Sequence, residues 1–372
     1  MKSEKAKNLT KLLIVVSFLF LFSACSITTN TDSLQTGSSV FVSGDNGNTW
    51  KDASGVATVG TSAERINNID VLSFYGDPSD SSAVYLATTN GLYYTYNISK
   101  GWNKVSALPD EKVLSVAVSP SNKCLIYVAI GNRLYRSNDC NRSFEQIYYD
   151  NEKNININSV VVDHYNSQNL YLGTSRGELI KSIDGGNSWR TIQRFEEPVA
   201  KVLVSPQDSR LIFVATSKIK VYSFLSNTDT NPANSEDLNN NFKVSNFKDL
   251  NAPLNDLVVG ASFKNLQAVP NDSSLLLATD KMILRSRDEG ITWESLNLIQ
   301  PDGKVTVNTL AVNPKNSKEI YYVTDTTFFR SLDDGTTWTT KKLPSARGGS
   351  ALWVDFNYTK NVYLGNYRLS NK

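Results

Sequence analysis

From residue 38 to residue 369 the chain alternates between short apolar runs and clusters of Asn, Asp, Ser, Gly and Pro. Stretches such as "LSVAVSPSNKCLIYVA" (114–129), "SVVVDHYNSQNLYLG" (159–173), "KVLVSPQDSRLIFVA" (201–215) and "NTLAVNPKNSKEIYYV" (308–323) each read as strand, turn, strand. A third apolar run follows, as in "GELIKS" (177–182) and "TFFRS" (327–331), and then a tight turn and a fourth strand. No helical stripe competes with this pattern in the mature chain. Four antiparallel strands repeated at this length predict the blade of a β-propeller.

One octapeptide marks the last turn of each unit. It appears as "SGDNGNTW" (43–50), "SIDGGNSW" (182–189), "SRDEGITW" (286–293) and "SLDDGTTW" (331–338), with weaker copies "SNDCNRSF" (137–144) and "TYNISKGW" (95–102). Successive copies lie roughly 42 to 52 residues apart, except for a doubled gap between Trp189 and Trp293 that predicts a blade without the motif. The carboxylates of Asp45, Asp139, Asp184, Asp288 and Asp333 suit bonds from turn N–H groups. Gly47, Gly186, Gly290 and Gly335 suit a left-handed backbone, which Asn141 tolerates in the weaker copy. Trp50, Trp189, Trp293 and Trp338, with Phe144 as a substitute, return onto the sheet and bury a large ring. All these residues are expected to hold the hairpin rather than to react.

Counting units gives blades at about 66–108, 112–150, 155–195, 198–250, 262–299 and 304–343, plus one that is split. Residues 350–369 supply its first strands and residues 38–52 its last two. The expected fold is therefore all-β: a seven-bladed propeller over 38–372, closed by a blade shared between the chain ends, which removes open sheet edges. In the fourth unit "SNTDTNPANSEDLNNN" (226–241) replaces the octapeptide, with the composition of a mobile loop that is either functional or a decayed turn.

Ahead of the repeats, Lys2, Lys5, Lys7 and Lys11 precede an apolar run from Leu12 to Phe22 that is short for a membrane span. Residues 1–24 read as a signal peptide. Phe22-Ser23-Ala24-Cys25 resembles the bacterial lipobox, which implies lipidation of Cys25. Each buried acyl methylene would add roughly 0.8 kcal/mol of membrane affinity. The polar residues 25–37 suit a flexible tether. The expected location is the extracytoplasmic membrane surface of a bacterial envelope.

Residues 1–24 hold four lysines and one glutamate, so the 38 basic and 36 acidic residues of the chain become 34 and 35 after cleavage, a net of about −1. That balance argues against bulk electrostatic binding of nucleic acid. The single histidine, His164, excludes a multi-His metal site, and no cofactor motif is present. Cys124 and Cys140 fall near one edge of the second blade and are expected either to pair, in an oxidising compartment, or to remain buried thiols.

The octapeptides and the cadence of "YLGTSRGELIKSIDGGNSW" (171–189) resemble the Asp-box (BNR) propellers: sialidases, xyloglucanases, the sortilin ectodomain and photosystem II stability/assembly factor-like proteins. A single compact ring fits the last group best, which implies a non-enzymatic scaffold. A sialidase-like site would need an early Arg-Ile-Pro, and Arg65-Ile66 is followed by Asn67. Xyloglucanase-like hydrolysis would need two carboxylates across a cleft. The starts of the inner strands instead align as Asp70, Lys112, Asn156, Pro198, Ser262 and Thr306, where Asp70 and Lys112 suggest an ion pair. Arg133, Arg176, Lys218 and Lys281 are expected on one face, as a basic crescent for an acidic peptide or anionic glycan. Asp110, Glu111, Glu152, Glu196 and Glu197 share that face, so a mixed solvated rim is the competing reading. The favoured function is a monomeric, non-catalytic lipoprotein that binds an unknown protein or glycan of the cell envelope; the alternative is a glycoside hydrolase or glycan-binding propeller.

Overall fold

The computed structural model describes residues 37–57, 64–80, 82–226, 244–270, 272–299 and 306–369. The signal segment, Cys25, the tether up to residue 36 and most of the 226–241 segment lie outside the described residues. The described residues form seven four-stranded antiparallel sheets, six of them each built from consecutive strands. These are blades I to VI, with inner strands Val71–Gly76, Val113–Ser119, Ile157–Val162, Val199–Val204, Phe263–Ala268 and Thr309–Asn313. Blade VII is composite: Gly348–Val354 and Val362–Tyr367 from the C-terminal end, then Val40–Ser43 and Lys51–Asp52 from the N-terminal end. Its closing seam pairs Val40 with Gly365, Phe41 with Leu364, Val42 with Tyr363 and Ser43 with Val362.

The second strands explain why a ring forms. Val84–Thr88, Leu170–Thr174 and Leu275–Thr279 are buried at every residue, so each sheet has an apolar surface on both sides. Strands of that kind need a neighbour on each face. Seven hydrophobic clusters fill the seven gaps between successive blades, the last joining blade VII to blade I around Val40, Val71, Phe74 and Trp102.

The octapeptide turns follow the expected chemistry. In blade VII, Ser43 Oγ accepts from the N–H groups of Asp45 (3.2 Å) and Gly47 (2.7 Å), while Thr49 N and Thr49 Oγ1 donate to the two Asp45 oxygens at 2.8 and 2.7 Å. The same bonds recur at Asp139, Asp184, Asp288 and Asp333. Two consecutive left-handed residues make the turn, Asn46 (φ 59°) and Gly47 (φ 84°). In the weaker copy these are Cys140 (58°) and Asn141 (70°). Glycine is also required by space: a Cβ on Gly47 would stand 2.2 Å from Phe328, a residue of the preceding blade. In the blade I copy, Asn97 Oδ1 accepts from Ser99 N and caps a turn of 3-10 helix, Ile98–Lys100. Trp102 there is fully buried and donates to Ala53 O at 2.7 Å, tying that blade to the N-terminal segment.

Cys124 and Cys140 form a disulfide across 16 positions of sequence. The all-β architecture expected from the sequence is found, with almost no helix. The connection from blade IV to blade V contains a single helical turn, Ala252–Asn255, which buries Leu254 in the gap between those blades. Four residues with Pro253 near the start are too few to print a helical stripe on the sequence.

Three consequences are measurable. Gly47→Ala should lower stability by at least about 2 kcal/mol, through left-handed strain plus the clash with Phe328. Gly131→Ala, left-handed at φ 57° with open space around it, should lose only about 1 kcal/mol. Chemical denaturation of the two variants reads the difference. Removing both cysteines should cost roughly 3 kcal/mol for a closed loop of this length, matched by adding reductant to the wild type.

The third concerns acid. Partial burial alone would raise the Asp45 carboxyl, but bonds from Thr49, Ser43 and Asn48 outweigh it and bring it from 3.8 to about 2. Bonds from the Ser143 side chain and backbone bring Asp139 to about 2 as well. A folded value below the unfolded one means stability that is intact above about pH 4 and lost as pH falls through 2. The melting temperature should drop over that window, and Asp45→Asn should flatten the drop.

Candidate functional site

The inner strands of all seven blades surround a central cavity of about 530 Å³. Six of them carry a bulge near their start, at the second residue for Leu72, Leu114, Asn158, Ala200 and Lys264 and at the third for Ser350. A bulge re-aims its side chain, and each of these residues lines the cavity. The inner-strand alignment made from sequence is thereby corrected by two positions. Asp70, Asn156, Pro198 and Ser262 precede the strands, and their carbonyls accept from the turns between second and third strands, at Thr89, Ser175, Ser217 and Asp280. Lys112 likewise precedes its strand, and Thr306 lies two residues before the cavity-lining Asn308. Asp70 does not pair with Lys112. Its partner is Arg347, at 2.6 Å, brought from the other end of the chain by ring closure.

Side chains at and just after the bulges stitch neighbouring blades together. Asn158 Nδ2 donates to Val199 O (2.8 Å), Asn308 Nδ2 to Gly349 O (2.8 Å) and Ser350 Oγ to Val71 O (2.7 Å). One residue further on, Ser115 Oγ accepts from Val160 N and Ser159 Oγ from Val202 N, both at 3.1 Å. Asn265 Nδ2 reaches Leu310 O at 3.4 Å. In blade IV the two positions hold Ala200 and Lys201, and no such bond to blade V occurs among the described residues. Among the described residues the cavity lining contains Lys201 and Lys264 and no carboxylate. Neither lysine makes an ion pair among the described residues.

On the rim, Arg176, Lys218 and Lys281 occupy turns between second and third strands, and Arg133 opens the third strand of blade II. Arg133 holds Glu111 at 2.7 Å. Arg176 binds Asp150, Glu152 (2.8 Å) and Glu178 (3.1 Å). Lys281 Nζ donates to Val259 O at 3.5 Å. Lys218 is exposed, while Lys220 beside it pairs with Glu197 at 2.7 Å and Glu196 at 3.8 Å. Asp110 is taken by Lys104 at 2.7 Å. The rim is thus a chain of local ion pairs, in which the acids counted from sequence are bound to the nearest turn. Such exposed pairs contribute little individually. His164 is exposed, as its turn implied, and its ring lies 5.1 Å from that of Tyr165.

A set of structural side chains escaped the sequence reading. The residue before the octapeptide serine is basic in four copies, and each points at the next blade. Arg136 Nη1 donates to Gly185 O (2.7 Å), Arg330 Nη1 to Asn46 O (3.1 Å) and Arg285 Nη2 to Ser317 O (3.1 Å), with Asp334 also paired to Arg285. Lys181 Nζ donates to Ser226 Oγ at 3.0 Å in blade IV. Burial brings the Lys181 ammonium down to about 8 despite the pull of Asp163. The signal was present as "YRS", "IKS", "LRS" and "FRS", but its target lies some 40 residues on, in the following repeat.

No family model matches the chain, and no curated protein matches it by sequence. Many solved structures are similar in fold. The GH74 xyloglucanase from Xanthomonas campestris superposes with a TM-score of 0.61 at 15% identity, over 81% of this chain and 51% of that one. The GH74 enzyme of Niastella koreensis gives 0.61 at 18%, over 84% and 52%. This chain therefore spans about half the length of those enzymes. YCF48 bound to a D1 peptide gives 0.57 at 14%, over 82% of this chain and 94% of that one. At these identities the likeness is one of fold: a β-propeller, found both in glycoside hydrolases and in a protein that holds a peptide.

Proposed function

We propose that the protein is a non-catalytic propeller that binds or helps assemble another protein at the extracytoplasmic face of a membrane, held there through Cys25. The observation that carries this reading is the chemistry of the central cavity. Glycoside hydrolysis needs two carboxyl groups roughly 5 to 9.5 Å apart around the scissile bond. The lining here offers lysines, amides and aliphatic groups, and the carboxylate at its mouth, Asp70, is engaged by Arg347. The resemblance in fold and length to a peptide-bound YCF48 supports the same reading. Hydrolysis is the second reading, favoured by the higher TM-scores of the GH74 enzymes.

Incubation of the protein with a panel of β-glucans, xyloglucan and sialosides should release no reducing sugar. Turnover abolished by a single carboxylate substitution would establish the enzyme instead. Crosslinked pull-down from native envelope should recover a discrete protein partner, and Cys25→Ser should shift the protein from the membrane to the soluble fraction.

A further inference from the structure

Among the inner strands, Ser or Asn side chains bond across the seams from blades II, III, V, VI and VII, whereas at the seam from blade IV to blade V the corresponding positions hold Ala200 and Lys201. Lys201 stands where Ser115 and Ser159 each accept a backbone N–H from the next blade. Lys264, on the adjacent strand, stands where Asn158, Asn308 and Ser350 each donate to a carbonyl of the next blade. Both lysines line the same cavity and neither has a counter-ion among the described residues. Two ammonium groups with no ion-pair partner among the described residues therefore stand in a concave wall that presents Ser, Asn and Gln side chains together with apolar ones.

Of the carboxylates around that mouth, Asp70 is paired with an arginine, whereas Asp325 is held by neutral donors. Asp70 accepts from Arg347 and from Arg368 N (2.8 Å), and Asp325 from Asn308 (2.8 Å) and the Tyr367 hydroxyl (2.6 Å). The same wall presents Leu203 and Gln267 from the two lysine-bearing blades, and Leu72, Leu114 and Trp353 from blades I, II and VII. Cations without a local counter-ion, set among apolar and neutral polar side chains in a concave wall, attract and orient a ligand of the opposite charge.

We propose that Lys201 and Lys264 form the recognition site for an acidic, partly apolar polypeptide segment, whose carboxylates reach the two ammonium groups while its apolar side chains lie on Leu72, Leu203 and Trp353. The proposal rests on the protein-binding reading and names the chemistry of its partner.

The test is fluorescence anisotropy on the full-length protein in detergent, with labelled peptides matched in length: Glu/Leu, Gln/Leu and Lys/Leu. The Glu/Leu peptide should bind, weaken as salt is raised, and bind at least about tenfold more tightly than the Gln/Leu peptide. Lys201→Ser restores the hydroxyl of the neighbouring blades, so its melting temperature should equal or exceed that of the wild type. Combined with Lys264→Gln, it should still weaken the acidic peptide about tenfold or more. Equal binding of the neutral peptide, or unchanged binding by the folded double variant, would overturn the site while leaving a protein-binding role intact. Displacement by inorganic phosphate or free glutamate at the peptide's own concentration would make the ligand a small anion and overturn the polypeptide. Polysaccharide turnover would remove the parent reading itself.

Discussion

The structure depends on burying both faces of every blade. A sheet whose second strand is inaccessible at all positions cannot be the end of a stack, because one of its faces would then meet water. Closing the stack into a ring is the arrangement in which every blade has two neighbours. The ring closes through hydrogen bonds between Val40–Ser43 and Val362–Tyr367, with no covalent link between the two ends. That seam brings Arg347 to Asp70, and Ser350 to Val71 O, so closure also shapes the mouth of the central cavity.

Around this constraint the octapeptide acts as a joint rather than an ornament of each hairpin. Its Ser and Asp satisfy the N–H groups of a turn that needs two left-handed residues, and its Gly admits a side chain of the preceding blade. The basic residue just before it reaches forward to the following turn. Each repeat is thus fastened to both neighbours at the outer part of the wheel, while bulged inner strands are fastened by Ser and Asn near the axis. Where blade II lacks the Gly and Trp, Asn141 adopts the left-handed backbone and the Cys124–Cys140 bridge holds the turn.

Function is read from departures from this regularity. On the rim the acids counted in the sequence are held by neighbouring turns, which ties up Arg133 and Arg176 of the crescent and leaves Lys218 exposed. At the axis, the inner strands of blades IV and V carry Lys201 and Lys264, which make no ion pair among the described residues. The connection there also differs from the others, with Leu254 of a short helical turn filling the gap.

Sequence by itself determined the blade, the number of blades and the composite seam, because strand period, turn chemistry and repeat spacing are local and recur. It also placed Cys124 and Cys140 at one edge, close enough that pairing was one of two outcomes. Only the tertiary structure decided which residues face the axis. The inward positions are Leu72, Asn158 and Lys264 rather than Asp70, Asn156 and Ser262, which precede the strands, and the bulge that aims each one leaves no mark on apolar periodicity. It alone also decided the partners of the charges. Arg347 and Asp70 are far apart in sequence, and the latch of Arg330 onto Asn46 spans the two chain ends, so both contacts exist only once the ring has closed.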